Sequence, residues 1–249
     1  MFLTQASSFC YDALLAIVYP QACAVCGGSV ESRVFGAACE NCWRLTSIFS
    51  GSKTVCWKCG RPAGAQVADA TPEQIRCHRC DEGSFDAARA CGAYEGALRA
   101  CVLNLKREPH VCEKLADELI KTQSRAPLNL ATRIIPVPLH ASREQERGFN
   151  QAALLGEIVA RATSLPLDCL SLVRLKGCER HRAGMDAKGR TDTVAGAFHV
   201  AYPGLLAGES ILLVDDVFTT GATVSACAQA LRNAGAREVF VLTAVSRFV

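Results

Sequence analysis

The chain has 249 residues, half of them apolar and 20% charged, and a formal net charge of +3. The apolar fraction excludes intrinsic disorder, and the lack of a Gly-X-Y or heptad repeat excludes the collagen and coiled-coil classes. So small a charge gives no argument for nucleic acid by itself, and the length fits one large or two ordinary domains at roughly 100–200 residues each.

Residues 5–18 read as a short amphipathic helix with Phe9, Leu14, Leu15, Ile17 and Val18 as its apolar members, stopped by Pro20. The hydrophobic stretch from Ala13 to Tyr19 is far shorter than the roughly 18 residues a membrane span needs. No Lys or Arg precedes it and Asp12 interrupts it, so neither a span nor a signal peptide is expected. A cytoplasmic location is. From Cys23 to Cys80 there is no strong period; Gly, Pro and Cys pairs punctuate a small module held by something other than a core. After Phe85, strands and helices alternate. Strands are expected at Ala87–Ala93, Arg133–Val137, Leu170–Leu175, Thr193–Val200, Ile211–Val214 and Val239–Val245. Helices are expected at Glu95–Lys106, Val111–Thr122, Phe149–Ala162 and Thr223–Ala234, the last followed by a C-capping Gly235. This predicts an α/β fold with a mostly parallel sheet covered on both faces. The change of texture divides the chain into an N-terminal helix and cysteine module, 1–85, and an α/β domain, 86–249.

Eight of the 15 cysteines form four CxxC pairs: Cys23/Cys26, Cys39/Cys42, Cys56/Cys59 and Cys77/Cys80. An odd total in a chain without a signal peptide argues against a disulfide framework. The spacing is that of structural zinc, because each CxxC turn sets two thiolates on one side of a tight loop and two turns complete a tetrahedron. Two sequential sites are the simplest arrangement, and zinc would then replace the missing core of a small segment. Spacing alone leaves open an interleaved pairing, and His78 as a substitute ligand. Cys10, Cys91, Cys101, Cys112, Cys169, Cys178 and Cys227 have no partner at ligand spacing and read as small core hydrophobes. Eight thiolates with two Zn²⁺ would bring the charge-balanced module to −4, which disfavours nonspecific phosphate binding and favours a scaffold or cover.

The most informative stretch runs Ile211-Leu212-Leu213-Val214-Asp215-Asp216-Val217-Phe218-Thr219-Thr220-Gly221-Ala222-Thr223. Four apolar residues make a buried parallel strand whose carboxyl end is where open α/β sheets bind ligands. The following helix N-terminus offers unpaired amides and positive dipole to a phosphate. Hydroxyls of Thr219, Thr220 and Thr223 add donors, and Gly221 permits close backbone approach. Adjacent carboxylates do not suit a phosphate; they suit vicinal hydroxyls, as on a ribose.

This stretch resembles the phosphoribosyl-pyrophosphate loop of type I phosphoribosyltransferases, and the whole chain resembles the ComF/GntX family. Supporting stretches are Tyr19-Pro20 before the first CxxC, Pro136-Val137-Pro138-Leu139, and Arg143 with Arg147-Gly148-Phe149-Asn150-Gln151. The resemblance implies a double zinc ribbon on a phosphoribosyltransferase-like fold, in a cytoplasmic protein of natural competence acting on incoming single-stranded DNA. Implied partners are phosphoribosyl pyrophosphate with Mg²⁺, single-stranded DNA, and a competence helicase or DNA-processing proteins. By that resemblance Asp215 and Asp216 bind the ribose hydroxyls. Val217, Phe218 and Thr219–Thr223 hold the 5′-phosphate, while the Pro136–His140 turn, with Pro138 and Leu139, lines the pyrophosphate pocket. Such turns often contain a strained or cis peptide, which Pro138 could supply; trans prolines forming a rigid strand exit are the alternative.

Arg143 to Gln151 reads as a loop entering a helix, with Arg143 and Arg147 suited to bidentate phosphate contacts. Arg174 to Arg190 holds six Lys/Arg against Glu179 and Asp186, in the position of the flexible loop that closes over substrate in the family, and Arg190 is its contribution to the donor site. His181 stands there where the family pattern has Gln. Lys106 is a further candidate for the pocket, or a helix-end cation. Three activities fit these residues: phosphoribosyl transfer to an acceptor, handling of single-stranded DNA, and non-catalytic sensing of phosphoribosyl pyrophosphate. No residue stands out as a general base.

Overall fold

The computed structural model describes residues 21–51, 56–62, 71, 74–77, 83–175 and 196–247. The expected helix at 5–18, Tyr19-Pro20, His78, Cys80, His181 and Arg190 lie outside the described residues.

Four strands form one parallel sheet: β1 (Ala87–Ala93), β2 (Arg133–Pro136), β5 (Ser210–Phe218) and β6 (Glu238–Ser246), in the order β1-β6-β5-β2. Two short strands, β3 (Leu172–Arg174) and β4 (Phe198–Val200), make a separate antiparallel ribbon. Six helices are described: α1 (Glu40–Leu45), α2 (Gly96–Leu105), α3 (Glu113–Gln123), α4 (Ala141–Arg147), α5 (Gln151–Thr163) and α6 (Ala222–Asn233).

Continuous apolar runs in β5 and β6 explain the parallel pairing, since such strands must be buried on both faces. Successive side chains alternate between the two faces. Leu212, Val214, Phe240 and Leu242 meet Leu105, Leu115, Leu119, Leu155 and Val159 from α2, α3 and α5. Ile211, Leu213, Val239 and Val241 meet Val224, Cys227, Ala228 and Leu231 of α6.

β1 is an edge strand, and an open edge leaves a row of unpaired amides and carbonyls. The segment joining the cysteine clusters lies along it. The Phe49 amide donates to the Cys91 carbonyl (2.8 Å), Ala93 to Ser47 (3.0 Å) and Ala88 to Lys58 (2.6 Å). Ile48 and Gly92 bridge in antiparallel sense. The first cysteine cluster also joins the main core: Cys23, Ala38, Cys39, Cys42 and Trp43 share a cluster with Leu98, Val102 and the sheet. A module read as lacking a core borrows the sheet's. Thr46 fastens the join, its hydroxyl accepting from the Ala97 amide at the start of α2 (2.9 Å) and donating to the Cys42 carbonyl (2.7 Å).

Two local expectations change, one open choice is decided and one strand is described only in part. The segment from Arg143 is not a loop but the latter part of α4, started by His140 accepting from the Ser142 amide (3.3 Å) and ended by Gly148 at φ 77°. Good helix formers in Ser142–Arg147 account for it. β5 runs on to Phe218, so Asp215 and Asp216 lie within the strand, paired with β6 and not beyond its end. The Val137-Pro138 bond is trans; among the described residues the cis peptide is Ala126-Pro127. The strand expected at Thr193–Val200 is described only as Phe198–Val200.

A Cβ on Gly92 would strike the Ser47 carbonyl and Leu98. Gly92→Ala should therefore push the strap off the β1 edge, costing about 1–3 kcal/mol and lowering the urea midpoint with little change in slope.

Asp168 is the second test point. Its carboxylate accepts from the Leu170 amide (3.0 Å), the Ser171 amide (2.9 Å) and the Ser171 hydroxyl (2.6 Å), with Arg133 at 3.9 Å. Burial pushes the carboxyl up, but these donors together outweigh it and hold it below the usual carboxylate range. A group lowered in the folded state contributes stability above its unfolded pKa, and that contribution is lost as pH falls through the folded value. Urea midpoints measured from about pH 6 down to about pH 3 should therefore fall more steeply for the wild type than for Asp168→Asn.

Candidate functional site

The carboxyl edge of the sheet gathers the phosphate-loop residues. Asp215, Asp216 and Val217 are half-buried on β5, Phe218 is buried, and Thr219 and Thr220 are exposed beyond it. Gly221 adopts φ +82°, and a Cβ there would sit 3.0 Å from the Phe218 ring, so the turn requires glycine. Phe218 is held in turn by Phe85, edge to face at 5.9 Å between ring centroids. The first backbone bond into α6 runs from Ser225 to Gly221 (2.8 Å), and the Thr220 hydroxyl accepts from Ala222 (3.4 Å). The amides of Thr223 and Val224 precede any helical acceptor, which leaves an anion-binding helix N-terminus at the strand end.

Charge at this site is arranged in opposition. Asp215 accepts from the Asp216 amide (2.8 Å), while Asp216 pairs with Lys106 at 3.2 Å. Burial and the neighbouring Asp216 carboxylate push the Asp215 carboxyl well up, against the pull of Lys106 and the amide. Lys106 follows the last turn of α2, and the structure brings it to Asp216 and away from a purely helix-end role.

Across the edge, the Val137 amide donates to the Val214 carbonyl (2.8 Å), which places the Pro138-Leu139 turn beside Asp215. Asn150 ties the turn to α5: its side chain donates to the Val137 carbonyl (3.0 Å) and accepts from the Ala152 amide (3.0 Å). On α4, Arg143 is exposed and Arg147 half-buried. No contact brings either arginine to Asp215 or Asp216 among the described residues. Sequence reading named Asn150 only within a motif; its anchoring of the turn had no local signal. β3 and β4 flank residues 176–195, with Arg174 stacked over Phe198 at 5.4 Å.

The cysteines fall into two groups, Cys23/Cys26/Cys39/Cys42 and Cys56/Cys59/Cys77, the sulfurs of each lying within 4.8 Å of one another. Tetrahedral zinc with Zn–S of about 2.3 Å requires sulfur–sulfur edges of about 3.8 Å. Cys23–Cys42 measures 3.7 Å, Cys26–Cys39 3.8 Å and Cys59–Cys77 3.5 Å. Amides of Val25 and Cys39 point at the Cys23 sulfur (3.4 and 3.3 Å), and the Cys77 amide at Cys56 (3.2 Å). Burial raises the Cys23 thiol, but these amides and that of Cys26 outweigh it and bring it to about 6. The donor set fits structural zinc, grouped sequentially along the chain.

Comparison with known proteins finds two family matches. A double zinc ribbon domain matches residues 14–81 and a phosphoribosyl transferase domain matches residues 158–247. The molecule is thus a double zinc ribbon on a parallel-sheet, phosphoribosyltransferase-type fold. The DNA utilization protein YhgH of Escherichia coli (strain K12) is 30% identical over 82% of this chain and 87% of that protein. Competence protein F of Haemophilus influenzae is 36% identical over 46% of this chain and 50% of its own length. Competence protein ComFC of Bacillus subtilis is 25% identical over 79% and 78%. With both domains present and this coverage, the chain belongs to the ComF family. No helix among the described residues is long and apolar enough to cross a membrane.

Because Cys39 and Cys42 belong to the sheet's own core cluster, metal removal should reach beyond the ribbon. The protein should carry two zinc ions by elemental analysis, and Cys39→Ser should carry one. Stripping zinc with a chelator should cost at least about 2 kcal/mol, visible as a drop of roughly 4–8 °C in thermal midpoint.

Proposed function

We propose that the carboxyl-edge site binds phosphoribosyl pyrophosphate with Mg²⁺ and supports phosphoribosyl transfer to a nucleotide-related acceptor. The observation that carries this reading is the pair of carboxylates at the end of a buried parallel strand, running through a left-handed glycine into an open helix N-terminus. Thr219, Thr220, Thr223 and the amides of Thr223 and Val224 hold the 5′-phosphate. Asp215 and Asp216 accept from the ribose hydroxyls, whose donors replace Lys106 at Asp216. The turn at Pro138 and Leu139, with Arg143 and Arg147, receives the leaving pyrophosphate, and Arg190 joins them by the family resemblance alone. Mg²⁺, when bound, neutralises pyrophosphate oxygens and is held largely by them. The chain's own residues act by positioning the donor and stabilising the leaving charge as the C1′–oxygen bond breaks.

We further propose a role in competence and DNA utilization, which the relatives' names support, in a cytoplasmic setting with single-stranded DNA and DNA-processing proteins as the partners. One surface feature favours DNA handling at the same edge. Arg99 and Arg247, both exposed, stack over Tyr94 at 5.9 and 5.0 Å, and the Arg247 amide donates to the Phe218 carbonyl (2.8 Å). Guanidinium planes beside a phosphate site suit stacked bases and backbone phosphates.

Calorimetric titration with phosphoribosyl pyrophosphate and Mg²⁺, paired with a pyrophosphate-release assay across nucleobases and single-stranded DNA, tests the reading. Replacing both Asp215 and Asp216 by Asn, or Gly221 by Ala, should weaken donor binding at least ~10-fold, equivalent to ~1.4 kcal/mol. Wild-type affinity in those variants would remove this site. Donor binding without release for any acceptor would leave a sensor.

A further inference from the structure

Cys101 lies within α2 and Cys112 at the far end of the link from α2 to α3, both outside the two metal-fitting clusters. Their sulfurs are 3.8 Å apart and both side chains are buried, at 6% and 4% exposure. Cys112 is the N-cap residue of the eleven-residue α3. Amides at a helix N-terminus favour the thiolate, which is the nucleophilic form. The Cys101 thiol donating to Cys112 holds the Cys112 thiol below its ordinary value and raises its own. Two cysteine sulfurs already in contact, with no metal ligand between them, form an arrangement that neither residue shows in the sequence.

We propose that Cys101 and Cys112 are a redox-active dithiol that exchanges with small-molecule disulfides such as oxidised glutathione. The Cys112 thiolate attacks one sulfur of the glutathione disulfide, forming a mixed disulfide and releasing one glutathione thiolate. Cys101, giving up its proton to that thiolate, then attacks the Cys112 sulfur and expels the second glutathione. The protein loses two electrons, the Cys101 proton ends on the first glutathione, and the second glutathione thiolate takes its proton from solvent.

The surroundings suit both states. The sulfurs need to close from 3.8 Å to about 2.0 Å, a shift that rotamer adjustment and a short link can supply. Oxidation removes the Cys101 S–H, and the Phe35 carbonyl, 3.9 Å from that sulfur, keeps the Trp43 indole donor at 2.8 Å. No buried carbonyl is orphaned. Arg107, Glu108, Pro109 and His110 of the link are exposed, giving the reagent an approach. The pair also touches the first ribbon directly: a Cβ on Gly36 would fall 2.8 Å from the Cys112 sulfur. The link begins at Lys106, which holds Asp216 at 3.2 Å, so closing the disulfide reaches the phosphate loop. That last consequence rests on the donor-binding reading of the loop; the dithiol itself does not.

The test uses the wild-type, zinc-loaded protein equilibrated in glutathione buffers of graded oxidation. Non-reducing peptide mapping is run with zinc content and Mg²⁺-phosphoribosyl-pyrophosphate titrations in parallel. The expected result is a Cys101–Cys112 cross-linked peptide, reversed by reduced glutathione at unchanged zinc content. Donor affinity should differ at least about 5-fold between the two states. Cys112→Ala should leave Cys101 unable to cross-link. If both cysteines stay fully alkylatable after denaturation while zinc is lost from the ribbons, or if either pairs with another cysteine, the proposal fails. A reversible cross-link with donor binding absent in both states upholds the dithiol and sinks the reading of the phosphate loop. A cross-link with unchanged donor affinity removes the coupling to Asp216.

Discussion

An open parallel sheet must end somewhere, and in this protein the way β1 is closed determines the rest. The strand has β6 on one side and would otherwise present bare amides and carbonyls to water and to other chains. Ser47 and Phe49, from the link between the two cysteine clusters, and Lys58, inside the Cys56/Cys59 turn, satisfy it. That placement puts Cys23, Cys39 and Cys42 among the residues of one face of the sheet, and Cys56 and Cys59 among those of the other. The ribbons therefore straddle the edge strand, and each metal-fitting cluster is tied to a different half of the core.

The same edge explains why a costly site persists. Two adjacent carboxylates repel one another, and burial together with the Asp216 charge favours the neutral form of Asp215. Lys106 relieves part of this at Asp216, and the open amides of α6 supply positive potential nearby. What remains unsatisfied is a demand for hydroxyl donors on one side and for an anion on the other. A phosphorylated sugar meets both demands at once, because its two functional ends are separated by the length of the ribose. A free phosphate meets only one.

Legibility in the sequence followed the range of the interaction. β5 and its loop were readable because the apolar run, the two carboxylates and the glycine are consecutive in the chain. The four CxxC turns were readable for the same reason, and their sequential grouping needed only the structure to choose among pairings. Lys106 was legible only as a candidate for the pocket or a helix-end cation, since nothing local marks its partnership with Asp216. Ser47–Phe49 carries no strand pattern; its hydrogen bonds exist because β1 needs them. α4 was hidden by charge, as Arg143-Glu144-Gln145-Glu146-Arg147 has no apolar stripe to give it a period. Cys101 and Cys112 are separated by a distance in sequence that matches no ligand motif, so each looked like a lone core residue.

The ribbon is better understood as part of the catalytic-fold core than as an appended module. Thr46 caps α2, the helix whose far end delivers Lys106 to Asp216, and Gly36 packs against the residue that begins α3. On the other face, Phe85 follows the second cluster and braces Phe218, while Ser84 donates to the Ser225 hydroxyl and Gln229 of α6. Each cluster is therefore connected by a few rigid contacts to one side of the phosphate loop: the first through α2 and the carboxylates, the second through Phe85 and the glycine turn.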